Sequence, residues 1–136
     1  SDVVVTVTSA TEPLLAAAAV GDRTLICAVG ATKYDRCEIA PELVARCAAV
    51  VCDDVSGSRV ECGDLINPER AGAFGWEQAI ELHAVVAGTA TAPRAGSAPV
   101  LFETQGVALQ DVAAAGVAWE RWRAGVPTSS RELHCP

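Results

Sequence analysis

Hydrophobic positions along the chain gather into short continuous runs separated by polar turns. Asp2 to Thr8, Thr24 to Val29, Ala48 to Asp53 and Val100 to Glu103 each read as a strand. Val-rich runs of this kind, without polar alternation, belong to parallel strands covered on both faces. Val20-Gly21-Asp22 and Asp53-Asp54 supply turns before the second and after the third. Between the runs the spacing becomes helical. Pro41 is a good first helical residue, and Glu42 to Cys47 carries its acid early and its base late. Glu61 to Ile66 predicts a short helix ended by Asn67-Pro68. Trp76 to Ala87 predicts a longer one, with Trp76, Ala79, Ile80, His83 and Val86 on one stripe and Gly88 as its stop. Ala90 to Pro99 is a Pro/Gly/Ser/Thr-rich loop. Val107 to Arg123 predicts the last helix, whose apolar stripe Ala108, Val112, Ala115, Trp119 and Trp122 calls for a partner. Residues 125–136 read as a tail. Strands alternating with helices argue an α/β fold, a mostly parallel sheet with flanking helices.

Composition narrows the picture. A chain of 136 residues is one domain by default. It is 51% hydrophobic but only 4% aromatic, so small side chains pack helices closely on a sheet. Ten basic against seventeen acidic residues give a net charge of −7, which disfavours nucleic-acid partners. No apolar run is long enough to span a bilayer, and the N-terminus does not read as a signal peptide. Six cysteines, at 27, 37, 47, 52, 62 and 135, form no Cys-x-x-Cys pair. They read as reduced thiols of a cytoplasmic protein, mostly core packing. With only His83 and His134 as further soft ligands, no metal site is expected.

Candidate chemistry concentrates where the second strand opens into a turn. After Ile26-Cys27-Ala28 come the small residues Val29-Gly30-Ala31, then Thr32-Lys33-Tyr34-Asp35-Arg36 with charges of both signs. In parallel α/β sheets, ligands bind outside the carboxyl ends of the strands. Small residues there let a flat ring approach. No Gly-x-Gly-x-x-Gly follows a strand; Gly72-Ala73-Phe74-Gly75 is out of that context and reads as an ordinary turn. A dinucleotide fold needs that turn to hold the pyrophosphate, so its glycine-rich first half is expected upstream of this chain. Glu61 and Asp64 read as surface carboxylates.

Four segments together resemble the ornithine cyclodeaminase/mu-crystallin family, over roughly residues 2–124. They are Val5-Thr6-Val7-Thr8-Ser9-Ala10-Thr11-Glu12-Pro13; Ala28-Val29-Gly30-Ala31 with Glu38-Ile39; Glu81 to Gly88 with Pro93-Arg94; and Leu101-Phe102-Glu103-Thr104-Gln105-Gly106-Val107-Ala108-Leu109-Gln110-Asp111. The resemblance implies that residues 1–106 are the second part of a Rossmann-type NAD(P)-binding domain. It implies that residues 107–124 are a helix returning toward a substrate and dimerisation domain that lies outside the chain. It also implies a homodimer for the full-length protein and NAD or NADP as cofactor.

By the same resemblance, Thr6, Val7, Thr8, Val29, Gly30, Ala31, Thr104 and Gly106 are cofactor-binding. The plainer reading is strand ends and turns bonded locally. Thr32 divides the family's chemistries, because it stands where ornithine-cyclising members carry an aspartate. A base and acid near neutral pH are needed to expel ammonia, and a threonine hydroxyl cannot serve. Asp35, three residues on, is the surrogate acid, so Thr32 and Asp35 are the candidate catalytic residues. Tyr34 and Cys37 depart from residues common in reductase-like members, Pro and Arg. The implied function is hydride transfer between NAD(P)H and the imine of a small amino acid, as in a cyclic ketimine or pyrroline-2-carboxylate reductase or an amino-acid dehydrogenase. The alternatives are an ornithine cyclodeaminase forming proline and a non-catalytic binding protein of mu-crystallin type. The chain alone is expected to be inactive.

Overall fold

A computed structural model of the chain describes residues 1–91 and 96–125. These form two units, Ser1–Gln105 and a second beginning at Gly106. The first unit is built on five parallel strands: β1 (Val3–Thr6), β2 (Leu25–Ala28), β3 (Ala49–Cys52), β4 (Ala79–Glu81) and β5 (Val100–Glu103). Their order across the sheet is β1-β2-β5-β3-β4. The last strand in sequence is therefore the middle of the sheet, with Leu101 fully buried. All four residues of β3 are buried, as its unbroken apolar run predicts. The edge strand β1 alternates instead, and its Val3 and Val5 are exposed on one face.

Helices α1 (Pro41–Arg46), α2 (Val55–Glu61), α3 (Gly63–Arg70) and α4 (Leu82–Val86) complete this unit. Ile26 of β2, Ile39, Leu43 of α1, Leu65 of α3 and Leu101 of β5 are its largest fully buried apolar side chains. Burying each such side chain stabilises the fold by about 1.5–3 kcal/mol. Pro41 opens α1 at its first turn, and Arg46 closes it by donating to the carbonyl groups of Ala17 and Val20.

Three expectations are corrected. The stripe read as one helix over Trp76 to Ala87 is a short 3-10 turn (Trp76–Gln78), then β4, then α4. Ala79, Ile80 and Glu81 pair with Val50, Val51 and Cys52, so the open edge of β3 wins these residues from the helix. Gly88 does end α4, with φ of 72°. Pro68 does not break its helix: α3 runs on to Arg70 with Pro68 buried inside it. Pro68 forfeits a single ladder bond, to Asp64, and its ring packs in the core. Finally, Asp64 is fully buried rather than on the surface, while Glu61 is exposed.

The second unit contains α5 (Ala108–Arg123), close to the predicted span. None of its residues is buried. Trp119 and Trp122 stack on each other, ring centroids 4.9 Å apart, and both are exposed. The sequence tail, 126–136, and most of the Pro93-Arg94 loop lie outside the described residues.

Candidate functional site

Because β1, β2 and β5 are neighbours, their carboxyl ends meet along one rim of the sheet. Backbone bonds carry the ladder past the strands: Val29 N–H donates to Thr6 O at 2.9 Å, and Thr104 N–H to Ala28 O at 3.0 Å. Three segments far apart in sequence, around Thr6, Val29 and Thr104, are thus brought side by side. Val7 and Thr8 are exposed beyond β1, and the buried Thr6 hydroxyl has no hydrogen-bond partner among the described residues. Val29 and Gly30 are half-buried, whereas Ala31 turns into the core. The Thr104 hydroxyl donates to Asp53 Oδ2 at 2.6 Å, joining the end of β5 to the end of β3. Gln105 is held from α2 by Ser58, 2.6 Å away. Gly106 opens the second unit with φ of 84°, a backbone region that suits glycine.

The loop from Gly30 to Glu38 carries the other candidates. Thr32 N–H donates to Gly30 O and Arg36 N–H to Lys33 O, both at 2.9 Å. Cys37 N–H bonds Ala10 O, and the Arg36 guanidinium reaches Ser9 O, tying the loop to the exit of β1. Thr32, Lys33, Tyr34 and Asp35 line an open cleft of about 520 Å³, closed on its far side by Val60 and Glu61 of α2. The two candidate catalytic residues therefore share one cleft, and the candidate cofactor residues of the first unit share the neighbouring rim.

Behind the loop stand three fully buried carboxylates, Glu38, Asp64 and Glu103. The Glu38 carboxylate accepts from Thr8 N–H at 2.6 Å and Gly30 N–H at 2.8 Å. Asp64 Oδ1 accepts from the Glu38 and Ile39 amides, at 2.7 and 2.9 Å. Burial pushes Asp64 up to about 6 in spite of those two bonds, which favour its charged form. Burial, and then the charge of Asp64, raise Glu103 well above the usual carboxylate range. Sequence reasoning misses this buried trio: it reads Asp64, with Glu61, as surface and gives Glu38 and Glu103 no role beyond their place in a segment. The available signal is position: each sits in or beside an apolar run.

Burial also raises the thiols, Cys52 and Cys37 to about 12. Such thiols stay neutral and pack as small apolar groups. Among the described residues no cluster of His, Cys, Asp and Glu is arranged to hold a metal, and no helix is long and apolar enough to cross a membrane.

The model of the ornithine cyclodeaminase/mu-crystallin family matches residues 1–126. The chain belongs to that family. It is 42% identical over 113 residues to a Delta(1)-pyrroline-2-carboxylate reductase of Burkholderia multivorans, covering 83% of this chain and 33% of that protein. Among solved structures it resembles Thermococcus litoralis Delta(1)-pyrroline-2-carboxylate reductase in complex with NADH and L-proline, with a TM-score of 0.84 and 29% identity over 92% of this chain and 39% of that one. It also resembles the iminosuccinate reductase of Paracoccus denitrificans in complex with NAD+, with a TM-score of 0.80 and 36% identity over 93% of this chain and 38% of that one. The chain thus spans about a third of the length of the curated relative. The α/β, parallel-sheet expectation holds, as does the family resemblance.

Proposed function

We propose that this chain is the nicotinamide-side part of an NAD(P)-dependent reductase of small imino acids. The observation that carries the reading is the shared rim: the ends of β1, β2 and β5 form one surface of small residues and backbone, beside the cleft that holds Thr32 and Asp35. The rim suits a nicotinamide ring, since it offers backbone and the small Gly30 rather than an aromatic or long side chain. Thr6, Val7, Thr8, Val29, Gly30 and Thr104, all of the first unit, would hold that half of the cofactor. Ala31 would act through its backbone, because its methyl group is in the core. When bound, the reduced cofactor supplies a hydride to the imine carbon and leaves as NAD(P)+, while the imine nitrogen keeps or takes up a proton.

The chain's own contribution is placement. Thr32 would bond the substrate without exchanging a proton at neutral pH. Asp35 would supply the proton. A carboxylate at residue 32, which ammonia expulsion calls for, is lacking, and this favours reduction over cyclodeamination. Helix α5, with its exposed tryptophans, would pack on a substrate and dimerisation domain. A cytoplasmic homodimer, inactive when reduced to these 136 residues, belongs to the same reading.

The test follows NADH and NADPH oxidation by the full-length protein with a cyclic five-membered imino acid, alongside ammonia release from ornithine. Oxidation without ammonia is expected. Ammonia and proline from ornithine would make the protein a cyclodeaminase, and cofactor binding without turnover on any imine would make it a binding protein.

A further inference from the structure

The geometry points to Glu38 as a positioning residue for hydride transfer: one buried carboxylate seals both ends of the loop that carries Thr32 and Asp35 and fixes the rim beside it. The inference rests on the reductase reading above. Three observations support it.

Glu38 is fully buried, and among the described residues its two oxygens accept from two amides, Thr8 beyond β1 and Gly30 beyond β2. The 30–38 loop is thereby closed by its last residue onto its first. The same carboxylate reaches the chain that leaves β1, so the two segments read as nicotinamide contacts are locked to each other through one side chain.

Gly30 is the socket. A Cβ built there would lie 2.2 Å from Thr8 O and 2.5 Å from Glu38 Cδ. The missing side chain faces the carboxylate and is needed for it to come close. The backbone of Glu38 is held in turn. Its N–H donates to Asp64 Oδ1, and its C=O accepts from Leu14 and Leu15 N–H at 2.8 and 2.9 Å. One side chain that accepts from two amides, at 2.6 and 2.8 Å, ties together two backbone segments that no local turn could join. Glu38 touches no part of the cleft itself. Its role is to set where Gly30 and Thr8 stand, and errors of about 1 Å in such placement cost on the order of a hundredfold in rate.

The experiment compares wild type and Glu38→Gln in the full-length protein. Gln keeps the shape but turns an NH2 toward one of the two amide donors. We expect kcat for imine reduction to fall at least about tenfold, while the KM for the cofactor moves less than about twofold, because most of the cofactor is held elsewhere. The primary deuterium isotope effect from NADH labelled at the transferred position should rise, as ring placement makes hydride transfer limiting. A folded Glu38→Gln variant with unchanged kcat overturns the proposal. So does a fall in kcat that tracks only the loss of folded protein, with the isotope effect unmoved. Wild type without turnover on any imine overturns the reductase reading and this inference with it; with an active wild type, the variant's behaviour bears on Glu38 alone. Should Glu38→Gln not fold, amide hydrogen exchange in wild type decides. The Thr8 and Gly30 amides should exchange as slowly as those of β2, and rapid exchange at either overturns the proposal.

Discussion

Gly30 and Glu38 occupy one space: the hydrogen of the glycine leaves room for the buried carboxylate that its own amide bonds. Gly30→Ala must therefore move either the Glu38 side chain or the Thr8 carbonyl, and the carbonyl belongs to backbone. We expect a loss of about 3 kcal/mol in urea denaturation, at the upper end for overpacking. Gly116→Ala is the control. It lies inside α5 with nothing near its Cβ position, and it should gain about 0.5–1 kcal/mol of helix stability.

Much of the fold was legible and the buried acids were not, for one physical reason. β2, β3 and β5 are apolar runs whose hydrophobicity is local and visible. β4 exists because β3 offers an open edge, a tertiary fact that the helical spacing of Trp76, Ala79 and Ile80 conceals. Glu38 is satisfied by amides of residues 8 and 30, and its own amide by Asp64, 26 positions away. No local pattern announces such a closure. Of the site, the loop that lines the cleft was legible, because its polar residues follow a buried strand; the strut behind it was not.

Glu103 should make the protein less stable as pH rises. Its folded pKa lies well above the ordinary 4.5, because burial and the charge of Asp64 disfavour ionisation. The folded state then binds the proton more tightly than the unfolded chain. The stabilisation is fully present below about pH 4.5 and is lost as pH climbs through the folded value. Glu103→Gln removes this dependence. Urea midpoints at pH 4 and pH 8 should separate by less in the variant than in wild type, and the variant should be the more stable at pH 8.

Asp64 has the same sign and a narrower window. Its shift from 3.8 to about 6 means that stability falls between those values, by on the order of 3 kcal/mol. Asp64→Asn keeps an acceptor for the Glu38 and Ile39 amides and drops the charge. Its stability curve should be flatter between pH 4 and 6, and a curve parallel to wild type would show that Asp64 titrates normally.

Thr32 and Asp35 share a cleft but not a task. A hydroxyl that only bonds the substrate gives up little when removed. We therefore expect Thr32→Val to raise the KM of the imine and to leave kcat within about threefold, the scale of one neutral hydrogen bond. Asp35→Asn removes the nearest carboxyl on the loop, and kcat should fall by about 10²-fold or more if it delivers the proton. Steady-state kinetics on the full-length protein separate the two, and equal effects on kcat would reject this division of roles.

The outer edge of β1 governs how these 136 residues behave alone. Among the described residues β1 pairs with β2 only, and Val3, Val5 and Val7 are exposed at 53%, 60% and 65%. An open strand edge flanked by an apolar face recruits another chain. Light scattering of the isolated 136-residue chain should show dimers or larger species. Val5→Lys places a charge in the middle of that face, a device by which sheet proteins blunt their edges. It should shift the population toward monomer without changing the circular dichroism of the fold. A monodisperse monomer in the parent chain would mean that this edge is too short to pair. Association that persists unchanged in Val5→Lys would assign it to the exposed Trp119 and Trp122 of α5 instead, and Trp122→Ala would then disperse it.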